Sequence, residues 1–145
     1  MKVSVPTAEA MRDLGAQWAT HFVPGDLIIL AGPVGAGKTT LAQGIARGLG
    51  VTDPVTSPTF VIAREHAGAR FPFIHVDAYR LGSIGELDDL DLVSDVDDAV
   101  TVVEWGSGIA EGLARQHLII TIDRTDDVRT VTVSGHGERW AAVFA

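Results

Sequence analysis

The sequence predicts an α/β fold, a mixed sheet flanked by helices on both faces. Three observations carry this. Short apolar runs alternate with segments whose apolar residues recur at helical spacing, as in a sheet with crossover helices. A glycine-rich turn joins one such run, Leu27-Ile28-Ile29-Leu30-Ala31, to a helix. Two further runs, 117–122 and 129–134, lie close enough in the chain to pair as a hairpin, so some pairing is antiparallel.

The elements follow in order. Thr7 is placed to N-cap a first helix, with Glu9 in its first turn beside the positive end of the helix dipole. Met11, Leu14, Trp18 and Phe22 fall on one helical face, and Pro24-Gly25 ends the unit. Residues 27–31 are continuously apolar, as expected of a strand buried on both faces. After the glycine loop, Leu41, Ile45 and Leu49 line one face of a second helix, with Gly50 as its stop. Residues 60–66 and 71–76 read as a hairpin around Gly68. A short helix is expected over 84–93, a strand over 100–104, a helix over 107–116, and a short strand over the tail 139–144. Trp18 reads as core, and Trp140 as closing the tail against the sheet.

The 145 residues suit one domain with a real core. The content of 46% hydrophobic residues lies in the globular range. The chain has no cysteine, which excludes disulfides, thiolate metal sites and thiol nucleophiles. The first six residues lack the basic start and apolar stretch of a signal peptide, and no apolar run nears the ~20 residues of a membrane span, so a cytoplasmic protein is expected. The net charge is −8, with 19 acids against 11 bases spread along the chain. That balance opposes strong direct binding to nucleic acid, which needs a basic surface to displace counterions.

The segment Gly32-Pro33-Val34-Gly35-Ala36-Gly37-Lys38-Thr39 matches G-x-x-x-x-G-K-[ST] throughout. Its glycines let backbone N–H groups close around phosphate oxygens, and the helix that follows points its positive end at the same anion. The Lys38 ammonium can reach the β- and γ-phosphates, and the Thr39 hydroxyl can ligate magnesium. Lysine occurs at only two positions, Lys2 and Lys38, so its use inside this loop points to a need for an ammonium there. The buried strand before and amphipathic helix after give the motif its proper context. The fold class is therefore P-loop NTPase-like, with ATP and Mg²⁺ as the expected ligands.

Such a loop works with an acid at the end of a neighbouring strand, which holds magnesium, directly or through water, or orients the attacking water. Asp77 follows Phe73-Ile74-His75-Val76, and Glu104 follows Thr101-Val102-Val103. Both would surface at the sheet edge where ligands bind in open α/β folds. The plainer alternative is a solvated acid at a strand end. Thr56-Ser57-Pro58-Thr59-Phe60 offers hydroxyls where a switch segment would lie. Residues 86–98 carry seven acids, a solvated face or a docking patch for a basic partner. The five histidines show no metal-ligand spacing.

With these pieces in order, the chain resembles the TsaE (YjeE-type) ATPases of bacterial tRNA threonylcarbamoyladenosine (t6A) synthesis. The resemblance spans nearly the whole chain. Four blocks carry it: Gly35-Ala36-Gly37-Lys38-Thr39-Thr40, Ser57-Pro58-Thr59-Phe60, His75-Val76-Asp77-Ala78-Tyr79-Arg80-Leu81 and Val103-Glu104-Trp105. It implies a P-loop fold with added antiparallel strands and slow ATP hydrolysis. It implies partnership with the TsaD–TsaB complex, which would itself carry out threonylcarbamoyl transfer to tRNA. By position it implies Thr39 and Glu104 as magnesium ligands and Asp77 as the acid near the γ-phosphate. It also implies Thr7 as a hydroxyl near the adenine and Arg129 as a nucleotide contact. After Leu81 the chain departs from the family pattern: only Glu86-Leu87 matches well, and Asp-rich sequence fills the rest.

Two other classes would share the loop. A small-molecule kinase usually carries an arginine-bearing lid, and Arg115 is the only base between Arg80 and Arg124. A regulatory GTPase or nucleotide-sensing module usually selects guanine with an Asn-Lys-x-Asp loop, which the chain lacks.

Overall fold

The computed structural model describes residues 2–32, 37–52, 54–55, 63–77, 96–104, 116–125 and 128–143. Among them a single seven-stranded mixed sheet runs β1 (Lys2–Val5), β7 (Val128–His136), β6 (His117–Thr125), β2 (Leu27–Ala31), β5 (Val100–Glu104), β4 (Phe73–Asp77), β3 (Ala63–His66) from edge to edge. The four central strands, β6, β2, β5 and β4, are parallel, and β3, β7 and β1 add antiparallel pairs outside them. The mixed sheet and its antiparallel additions are those the sequence predicts.

β2 lies between β5 and β6, and Leu27, Ile28, Ile29 and Leu30 are all buried. This is why its apolar run is unbroken. Each such side chain contributes about 1.5–3 kcal/mol relative to exposure. Alternation divides the strand residues between the two faces. Ile28, Leu30, Val102, Leu118 and Ile120 join the core under α1 (Ala8–Ala19) and α2 (Lys38–Gly48). Leu27, Ile29, Ile74, Val76 and Val103 are buried on the other face. The helices expected over 84–93 and 107–116 fall essentially outside the described residues.

α1 starts where predicted: the Thr7 hydroxyl accepts from the Ala10 N–H at 3.0 Å. Met11, Trp18 and Phe22 are buried beneath it. α1 and α2 pack with their backbones nearly touching. A Cβ on Gly15 would stand 2.6 Å from the Leu41 carbonyl oxygen, and one on Gly44 would stand 2.2 Å from that of Arg12. α2 ends at Leu49, with Gly50 beyond it at φ +82°, the left-handed stop that glycine adopts without strain.

At the termini the structure adds a strand for which the sequence carries no expectation and corrects the form of the tail. Residues 2–5 form β1, with Val3 opposite Val131 and Val5 opposite Arg129. A four-residue strand that alternates exposed Lys2 and Ser4 with Val3 and Val5 is too short to stand out in sequence, and its stability comes from the β7 ladder. The tail is a helix, α3 (Glu138–Val143), not a strand. Gly137 at φ +110° turns the chain out of β7. Trp140 then packs edge-on to Phe22 at 5.9 Å, and Arg139 makes two bonds to the buried Asp26 carboxylate, Nε to Oδ1 at 2.6 Å and Nη2 to Oδ2 at 2.7 Å. Those long-range contacts, not local propensity, decide the tail's form.

Candidate functional site

The site lies where β2, β5 and β4 end side by side. Leu30 of β2 is the register partner of Glu104, and Glu104 in turn is the partner of Asp77 in β4. The chain leaves β2 at Ala31 and turns back into α2 at Lys38 over this edge. Gly32 sits at φ +142°, and a Cβ there would come 2.3 Å from the Ile122 carbonyl oxygen, so the turn requires glycine against β6. Gly37, at φ +111°, is the N-cap of α2, and its carbonyl accepts the Leu41 N–H at 2.9 Å. Gly35 and Ala36 lie outside the described residues.

Lys38 opens α2 and is buried, its Nζ donating to the Gly32 carbonyl at 2.7 Å. The ammonium thus spans the loop's two ends. Thr39 Oγ1 lies 3.2 and 3.3 Å from the two carboxylate oxygens of Glu104. Thr40, partly exposed, completes the first turn. Glu104 itself is only 4% exposed, which excludes its reading as a solvated strand-end acid. A buried carboxylate needs partners to offset the loss of water. It has the Thr39 hydroxyl and a second donor, the imidazole of His75 on β4, whose Nε2 is 2.5 Å from Oε2. For Asp77 the backbone register alone places the residue beside Glu104.

The other edge of the loop meets β7 and α1. A Cβ built on Gly37 would lie 3.4 Å from Met11 Cε and 3.5 Å from both Cδ and Nε of Arg129. Arg129 faces Val5 across β1, and Thr7 follows two residues later, exposed at the start of α1. The fold therefore brings Met11 of α1 and Arg129 of β7 to the end of the loop, and Thr7 stands about one helical turn before Met11.

Sequence reasoning missed two of these residues as site components. Met11 was readable only as core. His75 carried one signal, a polar ring inside an apolar strand. Its partner depends on the β4–β5 register, which no local pattern reveals. The segment 56–60, Tyr79, Arg80 and Trp105 lie outside the described residues, as do most of the acids between 86 and 98. Among the described residues no group of three or more His, Asp or Glu side chains could hold a metal alone.

The sheet order and the turn from β2 into α2 define a P-loop NTPase-like α/β protein. The family model described as threonylcarbamoyl adenosine biosynthesis protein TsaE matches residues 5–131. The chain belongs to the TsaE family. It is 53% identical over 139 residues to the tRNA threonylcarbamoyladenosine biosynthesis protein TsaE of Streptomyces coelicolor, covering 90% of this chain and 94% of that one. It is 42% identical over 124 residues to the protein of the same name from Bacillus subtilis, covering 84% and 77%. The crystal structure of Bacillus subtilis YdiB superposes with a TM-score of 0.79 at 33% identity, covering 99% of this chain and 90% of that one.

Proposed function

We propose that this protein binds and slowly hydrolyses ATP as an accessory factor in t6A modification of tRNA, acting with the TsaD–TsaB complex. Membership of the TsaE family and the names of its relatives support the pathway. The observation that carries the chemistry is the contact of Thr39, in the first turn of α2, with the strand-end Glu104, beside a buried Lys38 that bridges back to Gly32.

The residues fit a magnesium nucleotide. A hydroxyl and a carboxylate are hard oxygen donors, and their hydrogen bond shows that both reach one point. Magnesium, held by Thr39 and Glu104 and completed by phosphate oxygens and water, would supply charge neutralisation at the phosphates. Lys38, freed from the Gly32 carbonyl, would bind β- and γ-phosphate oxygens, and the start of α2 would add its positive end. Asp77, at the end of the next strand, would orient the attacking water and take up its proton. The water oxygen bonds to the γ-phosphorus while the bond to the β–γ bridging oxygen breaks, giving ADP and phosphate. Arg129, Met11 and Thr7 would contact the adenosine end of the ligand.

The test is calorimetry of magnesium ATP binding. The wild type should bind, and Lys38→Ala, losing charged hydrogen bonds worth about 1.5–3 kcal/mol, should bind roughly 10–150-fold more weakly. Equal affinities in the two proteins would remove the assignment.

A further inference from the structure

We infer that His75 is a positioning residue for the magnesium site, holding Glu104 in the orientation in which it shares a ligand with Thr39. The inference rests on the proposed reading of Glu104 as a metal-holding acid and extends it to a residue that touches neither metal nor nucleotide.

His75 is 0% exposed in the middle of β4, with Ile74 and Val76 buried on either side. Burying an imidazole costs free energy that a leucine at the same place would not. Its Nδ1 has no hydrogen-bond partner among the described residues, so that cost is only partly offset. The one ring atom with a partner, Nε2, faces Glu104 Oε2. An ionised carboxylate only accepts, so the ring donates from Nε2.

The ring is also held in place. Phe73, two residues earlier on the same face, stacks against it with centroids 6.0 Å apart and planes 19° from parallel. His66 stacks on the other end of the row, 5.8 Å from Phe73. His75 is the register partner of Val102, so its ring stands on the β5 face that carries Glu104 two residues on. A fixed donor on Oε2 restricts rotation of the carboxylate. Both oxygens stand near the Thr39 hydroxyl, Oε1 at 3.2 Å and Oε2 at 3.3 Å, and Oε1, which has no bond to the ring, is the one left for a shared ligand. A histidine serving only the core would need no such aim at the buried Glu104. Partners of this kind, one shell outside a metal, typically change its affinity 10–100-fold when removed.

The experiment uses the full chain and a fluorescent ATP analogue, titrated with magnesium and repeated in EDTA. His75→Leu should raise the magnesium half-saturation 10–100-fold. It should leave metal-free nucleotide affinity within twofold of wild type and keep the melting temperature. His75→Gln, whose amide N–H reaches the former Nε2 position, should recover most of the loss. A His75→Leu half-saturation within twofold of wild type, while Glu104→Gln shifts it strongly, overturns the inference and leaves the magnesium reading standing. No magnesium dependence in the wild type and no effect of Glu104→Gln overturns both. Should His75→Leu fail to fold, His75→Asn is compared with His75→Gln. The shorter amide falls short of Glu104, and equal half-saturations in the two amides refute the role.

Discussion

Thr39 and Glu104 stand 65 positions apart in the chain and meet within hydrogen-bond distance. The meeting decides what each does. Thr39 was legible because its motif is local: spacing alone puts its hydroxyl in the first turn of the helix. Glu104 was legible as a strand-end acid but not as a buried one, since burial depends on what packs beside it. A division of labour between the two acids follows. Glu104→Ala removes the acceptor of two donors and, on the proposed reading, a magnesium ligand, and should shift the magnesium dependence of ATP binding by more than about 10-fold. Asp77→Ala should leave affinity nearly unchanged and slow phosphate release by about 10²–10⁴-fold, the usual scale for a lost general base. Calorimetry at stepped magnesium concentrations and single-turnover phosphate release measure the two effects. Reversed results would exchange the roles.

The contact between α1 and α2 depends on glycines that helical propensity disfavours. In an isolated helix, Gly44→Ala would gain about 1 kcal/mol. Here the added Cβ would stand 2.2 Å from the Arg12 carbonyl oxygen and 2.7 Å from Arg12 Cα, backbone atoms that cannot rotate away. The clash outweighs propensity, so Gly44→Ala should lower stability by about 1–3 kcal/mol, read as a lower urea midpoint. Because α2 carries Lys38 and Thr39, displacing it should also weaken ATP binding. The α3 clamp is the second element-scale case. The hydrogen bonds of Asp26, and then its charge, raise the Arg139 pKa further above its ordinary value against desolvation, so the guanidinium stays charged. Arg139→Ala leaves the Asp26 carboxylate, 5% exposed, with the Val23 N–H at 2.8 Å. The expected loss is about 2–3 kcal/mol, below the full value for a buried pair because Arg139 is part-exposed. Chemical denaturation checks it, and ATP affinity should not change, since the clamp stands apart from the loop.

At the scale of the whole molecule, hydrolysis calls for positive charge at the γ-phosphate, and Arg80, three residues past Asp77, is the nearest arginine in sequence to the strand-end acids. An arginine that approaches the γ-phosphate accelerates phosphoryl transfer by about 10³–10⁵. No arginine occurs between residues 50 and 60, where a finger from within the chain would readily be placed, and Arg80 also reads as the anchor of a turn at Tyr79-Arg80-Leu81. The chain alone should therefore turn over slowly, and the TsaD–TsaB complex should raise steady-state phosphate release. With a net charge of −8, its attraction to a basic partner should weaken as salt shortens the screening length. Phosphate release with and without the complex, at low and high salt, tests this. Rapid turnover by the chain alone, unchanged by the complex, would favour a free-standing ATPase or a small-molecule kinase.

Local chemistry alone specified the loop that ends at Lys38 and Thr39, the buried strands at 27–31 and 100–104, the Thr7 cap and the inward faces of α1 and α2. Each depends on residues within a turn or two of one another, where periodicity, capping and glycine conformation decide the outcome. Tertiary structure decided the strand order that sets β5 and β4 beside β2, and with it the convergence of Thr39, His75 and Glu104. It decided the approach of Arg129 to Gly37 through β7, the pairing of β1, and the helical tail held by Asp26. These rest on register between strands distant in sequence and on which buried groups find partners, and both are settled only when the entire sheet packs.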